Sequence, residues 1–332
     1  MSMKMNKSNI VVCQHISIFH EYTGNHSSTD MISDIITCIV NAVLAILTTI
    51  GNSCIIFAYH DNRTLQTKSN LLIVALAFTD LLVGILVQPL FVWVKIKQMM
   101  GNIDCLLEII SDLSTKFSFG ISLLTLGLIV STERYFAVFY PLKHHTWLTK
   151  KKLFYSILVV WVTAAIAVLS ILLGIPRVVY QPFGLTLIVL SLATSLFLYI
   201  KIARKIRTMK SRTAPSPGLS RVKRVSWTSN PSQIRAAVTM FYVLGSLFIC
   251  WIPMLSGFLY VSIQGQNLVY QKFLWTWGVT CVFLNSFCNP FIYSWRNRNM
   301  STAIRRLFVK GNHDVDGTIV NLSMVRQSYS MT

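Results

Sequence analysis

Apolar and polar residues fall in long blocks along this chain, not at the short periods of a soluble fold. A polar stretch runs to about residue 31. Apolar stretches follow near Ile32–Tyr59, Asn70–Val94, Cys105–Val138, Leu153–Ile175, Gly184–Ile202, Ile234–Ile263 and Phe273–Trp295. A helix needs roughly 20 mostly apolar residues to cross a bilayer core. The pattern therefore predicts an all-α membrane protein, a seven-transmembrane helix bundle over residues 32–296, preceded by an extracellular N-terminal tail, residues 1–31. The connections are short except Arg204 to about Gln233, a strongly basic segment containing Ala214-Pro215-Ser216-Pro217-Gly218, which reads as a helix-breaking loop. From Asn297 to Lys310, Ile304, Leu307 and Phe308 alternate with Arg305 and Arg306. That predicts a short amphipathic eighth helix on the inner membrane surface, residues 297–310, before a polar cytoplasmic tail, residues 311–332.

Composition agrees. Hydrophobic residues make up 53% of the chain and charged residues only 12%, against about 25% charged in soluble domains. Seven spans nearly fill 332 residues and leave no room for a large soluble module. The net charge of +19 would suit nucleic acid, but its distribution points to a bilayer. Lys4, Lys7, Lys95, Lys97, Arg177 and Lys272 fall on one side, Lys116 inside a span, and every other Lys and Arg on the opposite side. Basic residues collect on the cytoplasmic side, which places the N-terminus outside and the C-terminus in the cytoplasm, with basic loops against anionic head groups. The start of the chain lacks a signal-peptide pattern, so the first span would serve as its own signal. Asn6 and Asn25 begin glycosylation sequons on the outer side. The seven cysteines show no metal-binding spacing. Cys38, Cys54, Cys250, Cys281 and Cys288 read as small apolar residues within spans. Cys13 and Cys105 fall outside, where a disulfide or two free thiols are both allowed.

Polar groups in spans are costly and need a reason. Each span carries a distinctive set: Gly51-Asn52 in the first, Asp80 after Leu76-Ala77-Phe78-Thr79 in the second, Glu133-Arg134-Tyr135 closing the third, Trp161 in the fourth, Tyr199 in the fifth, Cys250-Trp251-Ile252-Pro253 in the sixth, and Asn285-Ser286 with Asn289-Pro290-Phe291-Ile292-Tyr293 in the seventh. In this order, over residues 51 to about 309, the set resembles the rhodopsin-like (class A) G-protein-coupled receptors. Pro253 and Pro290 lack a backbone donor and weaken their helices, so the sixth helix would swing about Pro253 under the influence of Trp251. The resemblance implies that Glu133 holds Arg134 at rest and that Arg134, with Tyr199 and Tyr293, forms the open cavity for a heterotrimeric G protein. An interfacial Arg134 reaching for head groups is the plainer alternative. Family members often place an acid at the start of the sixth helix; here Gln233 stands there, which predicts a weaker lock and some basal signalling.

The resemblance also implies a sodium ion near Asp80, held with Asn285, Ser286 and Asn289, although no cofactor is required. The family's serine ligand in the third helix would fall on Leu123, with Ser122 beside it. Glu108 and Asp112 show the same one-residue offset from the paired acids of melanocortin-like receptors. Together the two offsets predict one extra residue, a π-bulge, within Leu123–Ser131.

The outer side is harder to read. Lys116 stands where amine receptors carry an aspartate and Phe283 where opsins carry the retinal lysine, which argues against both. The second outer loop, Pro176 to Phe183, is short and has no cysteine, and Ser191 replaces the usual proline of the fifth helix. These features resemble the melanocortin, adenosine and lipid-receptor branch. Glu108, Asp112 and Lys116 form a row on one helix face; they suit either recognition of a cationic peptide above Trp251 or an internal Asp112–Lys116 pair. Phe117, Phe119, Trp275 and Trp277 fit a pocket lining or ordinary packing.

The resulting expectation is a plasma-membrane receptor that passes binding of an extracellular peptide or small molecule to a G protein, with arrestin and receptor kinases as further partners and Lys223-Arg224-Val225-Ser226 as a candidate kinase site. No grouping suggests an enzyme. A receptor-like protein without signalling is one alternative. A transporter is another, with only Asp80 and Lys116 counted as ionisable inside the bundle and no internal repeat.

Overall fold

A computed structural model describes residues 3–6, 10–13, 21–22, 28–212, 231–264 and 268–307. Seven long helices dominate: Ser28–Asp61, Lys68–Met99, Cys105–Phe139, Lys150–Leu172, Arg177–Arg212, Pro231–Gln264 and Leu268–Arg296. They are called here the first to seventh spans. The expected basic loop Arg204–Gln233 is shorter than the sequence suggests, because the fifth span continues as helix to Arg212 and the sixth begins at Pro231; residues 213–230 with the kinase motif, the polar C-terminal tail and Asn25 lie outside the described residues.

The bundle is apolar on its outside and mixed within. Ile39, Ile46, Phe57, Leu158, Val159 and Ile249 face outward, while Ile55, Leu72, Leu76, Leu126 and Phe283 form the core beside buried Asn41, Asn52, Asp80 and Asn289. Hydrocarbon offers no hydrogen bonds, so hydroxyls return to their own helix. Thr49, Thr79 and Thr163 each bond the carbonyl four residues back. Asn41 does both: its Nδ2 donates to the Thr37 carbonyl of its own helix at 2.8 Å and to Thr280 Oγ1 of the seventh span at 2.9 Å.

Two expectations change. The polar tail contains a small antiparallel sheet: β1 (Met3–Asn6) pairs with β2 (Ile10–Cys13), Met3 opposite Cys13, and β2 pairs with β3 (Glu21–Tyr22). The β-branched run Ile10-Val11-Val12 favours this pleated form. On the outer side, the fifth span begins at Arg177, so most of the expected loop Pro176–Phe183 is helix. Only Leu173–Pro176 joins it to the fourth span, with Gly174 at a φ of +73° making the turn.

The extra residue of the third span is present. Thr125–Val130 forms a π-turn inside the stretch where the sequence required it. Ser191 of the fifth span donates to the Leu123 carbonyl at 3.1 Å, and Ser131 donates to the Leu126 carbonyl at 3.0 Å. The serine that replaces the expected proline thus supplies a donor next to the bulge. Gly127 allows the approach, because a Cβ there would sit 1.9 Å from Ser191 Oγ. A second π-turn, Val83–Val87, precedes Pro89 in the second span; it was not anticipated, and it absorbs the helix disturbance that proline causes.

On the cytoplasmic side a loop helix, Pro141–Trp147, follows the third span, with Pro141 at its first position. Residues 298–307 form a terminal helix, capped by Asn297 Oδ1, which accepts from the backbone of Asn299 and Met300. Met300 and Ala303 are buried, Ile304 and Leu307 pack on the core, and Arg298, Arg305 and Arg306 face out.

Gly127→Ala is expected to destabilise the bundle by about 1–3 kcal/mol, the usual cost of overpacking. The check is a lowered melting temperature of the purified receptor, partly recovered when Ser191→Gly is added.

Candidate functional site

The family-like residues divide into three tiers along the bundle. At the outer end, Lys116 Nζ donates to Asp112 Oδ2 at 2.7 Å, one turn away on the third span. Glu108 accepts from Gln98 of the second span at 2.6 Å. The internal pairing of Asp112 with Lys116 is therefore the arrangement formed. All three charged residues of the row remain partly exposed.

Lys95 requires a correction. The sequence placed it on the outer surface; the structure buries it. Its ammonium donates to Asp34 Oδ1 of the first span at 3.2 Å and to Thr276 Oγ1 of the seventh at 2.9 Å, with both charged side chains almost fully enclosed. The second span runs on to Met99 as helix, which carries Lys95 inward instead of into a loop. Asp34 and Lys95 thus join Asp80 and Lys116 as ionisable groups within the bundle. Beside them, Trp277 Nε1 donates to Ser33 Oγ at 3.0 Å.

Below this tier lies an aromatic stack. Phe119 meets Trp251 edge-on at 6.0 Å between centroids and Phe283 at 5.5 Å; Phe91 meets Phe283 at 5.7 Å. Trp251 is 3% exposed and sits two residues before Pro253, which lies inside the sixth span. The four aromatic residues considered for a pocket do not act together: Phe117 packs on Trp161 of the fourth span at 6.2 Å, and Trp277 turns to the first span.

The middle tier surrounds Asp80, which is wholly buried. Asn289 Nδ2 donates to its Oδ2 at 2.8 Å, and Ser286 lies beside the same carboxylate. Asn52 Nδ2 ties the first span to the Ser286 carbonyl at 3.2 Å. Asp80 Oδ1, Asn52 Oδ1 and Asn289 Oδ1 are buried acceptors with no hydrogen-bond donor among the described residues. Asn285 faces elsewhere, accepting from Ser246 of the sixth span at 3.3 Å. Ser122 is buried on the third span, and no hydrogen bond joins it to Asp80 among the described residues.

The cytoplasmic tier centres on Glu133. Arg134 Nε approaches its Oε2 to 2.5 Å, His144 Nε2 lies 2.9 Å from its Oε1, and Ser69 Oγ donates to Oε1 at 3.2 Å. His144 comes from the loop helix and Ser69 from the second span. Arg134 is 1% exposed, and its Nη1 and Nη2 have no hydrogen-bond partner among the described residues. The hydroxyls of Tyr199 and Tyr293 are in the same condition. After Glu133 the chain has no Asp or Glu before Asp314, so no carboxylate of the later spans can hold Arg134. Tyr135 turns away and stacks on Phe139 at 4.4 Å. Ser69, His144, Asp34, Lys95 and Thr276 are site residues that reading the sequence missed. For His144, a histidine in an otherwise basic and apolar loop beside the third span was the available signal.

Cys105, at the outer start of the third span, is disulfide-bonded, and Cys38, Cys54, Cys250, Cys281 and Cys288, within the spans, are free thiols. Asn6 ends β1.

Known proteins align with this arrangement over most of the chain. The family model for seven-transmembrane receptors of the rhodopsin family matches residues 51–182 and 176–293. The dog histamine H2 receptor is 29% identical over 298 residues, covering 81% of this chain and 78% of its own. The zebrafish trace amine-associated receptor 13c is 25% identical, covering 81% and 86%. Mouse G-protein coupled receptor 161 is 23% identical, covering 78% and 54%. With its ordered motifs, its seven helices and a family match across most of its length, the chain belongs to the rhodopsin family of seven-transmembrane receptors.

Proposed function

We propose that this cell-surface receptor switches through Arg134, and that it couples to a heterotrimeric G protein to a measurable degree without ligand. The observation that carries this reading is the state of Arg134: buried, paired only with the neighbouring Glu133, and with two nitrogens lacking acceptors among the described residues. A buried donor left unmade costs about 1–3 kcal/mol. The closed cytoplasmic end is therefore held weakly, and Arg134, Tyr199 and Tyr293 gain acceptors when the sixth span moves about Pro253 and a partner inserts. Glu133, fixed by Ser69 and His144, is the stationary half of the switch. Residues on a helix one apart point in different directions, so Glu133 grips Arg134 from the side.

The ligand enters from the outside, with the N-terminus extracellular and the C-terminus cytoplasmic, and reaches Glu108, Asp112, Lys116 and, beneath them, Trp251. Two relatives are named for amines. In this chain Asp112 already holds an ammonium, that of Lys116, which favours a small molecule or peptide other than a simple amine. Arrestin and receptor kinases would act on the same open state. Asn6 and Asn25 would carry glycans.

Asp80 suits a sodium ion. Its buried Oδ1 and the amide oxygens of Asn52 and Asn289 are hard donors around a single negative charge. Ser286 completes the neighbourhood, whereas Ser122 and Asn285 have weaker claims. The ion would hold the second and seventh spans together in the resting state.

Basal G-protein activation should be higher in wild type than in Arg134→Ala at matched surface expression. One lost set of charge-assisted hydrogen bonds, about 1.5–3 kcal/mol, weakens coupling roughly ten- to hundredfold. Equal basal activity in the two would overturn the weak-lock reading. For the ion, raising sodium should lower wild-type basal activity and leave Asp80→Asn unaffected; a wild type blind to sodium removes the site. Cys13 is the proposed partner of Cys105, and non-reducing peptide mapping should recover the two in one fragment.

A further inference from the structure

A cavity of about 590 Å³ lies on the lipid-facing side of the bundle, between the cytoplasmic halves of the third and fourth spans and the loop helix. Its size falls within the range of ligand pockets. It is separate from the outer site and touches the switch only at Glu133, which lines its inner end.

Its lining is amphipathic. Leu128 and Ile129 of the third span face Leu153 of the fourth and form an apolar wall. Toward the cytoplasm the chemistry changes: Thr132 and Ser156 offer hydroxyls, and Lys152 stands at the mouth. Trp147, 54% exposed, closes one side, with the Lys143 ammonium 5.0 Å from its ring centroid. The deepest polar group, Glu133, already engages Arg134, His144 and Ser69.

Charge selects the occupant. Lys152 lines the cavity, Lys143 stands over its Trp147, and both are exposed, as are Lys150 and Lys151 just before Lys152 in the chain; the chain carries no Asp or Glu between Glu133 and Asp314. This face therefore has almost no counter-charge of its own. The exposed apolar side chains of Phe154, Tyr155 and Leu158 on the fourth span put the opening beside acyl chains and the lysines at head-group level. An anionic amphiphile of the cytoplasmic leaflet meets both conditions, and such lipids are drawn to clustered lysines.

We propose that this cavity is a binding site for one anionic phospholipid, its phosphate on Lys152 with the Thr132 and Ser156 hydroxyls and one acyl chain along Leu128, Ile129 and Leu153. The bound lipid would brace Trp147 and Leu148 at the end of the loop helix and so press His144 against Glu133. A neutral sterol would use the apolar wall but leave the lysines unmatched.

The test is lipid retention by native mass spectrometry of the full receptor, taken from nanodiscs of phosphatidylcholine with phosphatidylserine. Wild type should retain one phosphatidylserine in preference to phosphatidylcholine. Lys152→Gln should weaken that retention roughly tenfold, the size of one charge-assisted contact, and Ile129→Trp, which fills the cavity, should abolish it. Lys201→Gln, an exposed lysine of the fifth span, should change nothing. A photoactivatable phosphatidylserine on wild type, which needs no variant to fold, should label the peptide spanning 147–156. Equal retention of phosphatidylcholine, competition by cholesterol or by soluble glycerophosphate, an equal loss in Lys201→Gln, or labelling elsewhere would each overturn the proposal. The readout is binding alone, so it stands or falls separately from G-protein coupling.

Discussion

Hydrocarbon can neither donate nor accept a hydrogen bond, and each polar group of this bundle must find its partner inside the protein. Most hydroxyls solve the problem locally by bonding their own helix. The groups that reach beyond their own helix define the architecture: Asn41 on Thr280, Asn52 on the Ser286 carbonyl, Asn289 on Asp80, Lys95 on Asp34 and Thr276. Every one of these contacts joins different spans, and the first and seventh spans recur among them. The polar interior is the cross-bracing that fixes helix positions, while apolar packing supplies contact area without direction.

The third span shows how one residue redistributes function. Its π-turn rotates everything on the outer side relative to Arg134, which sets the phase at which Glu108 meets Gln98 of the second span, whereas Asp112 and Lys116 pair because they lie one turn apart on the same helix. The disturbance is contained by Ser191 and Gly127, one supplying a donor and the other the space. A proline at position 191 would offer no hydroxyl, so the serine and the bulge make sense only together.

Much of this was legible in the sequence. A polar residue in an apolar run stands out singly, which is how Asp80, Arg134, Trp251 and Asn289 were found, and a repeated one-residue mismatch located the bulge. Partnerships were less visible. Glu133 meets Ser69 across 64 residues and Lys95 meets Thr276 across 181; such pairs depend on the rotational phase of two helices. Two π-turns alter that phase, and only one left a trace in the spacing. Lys95 was misplaced for a related reason. Next to Lys97 and Gln98 it looks like the polar edge of a span, and only the continuation of the helix to Met99 shows that it turns inward.

The Lys95–Asp34 pair bears on how the protein is made. A lysine entering the membrane within a helix costs about 2.5–3.5 kcal/mol at the bilayer centre on insertion scales, and less near the surface. Asp34 leaves the ribosome before Lys95, and the two belong to consecutive spans. The ammonium can therefore meet its carboxylate within the first helical hairpin, before Thr276 is synthesised. The earliest part of the bundle can settle as a neutral unit, and the seventh span completes by hydrogen bond what the first two have already balanced in charge.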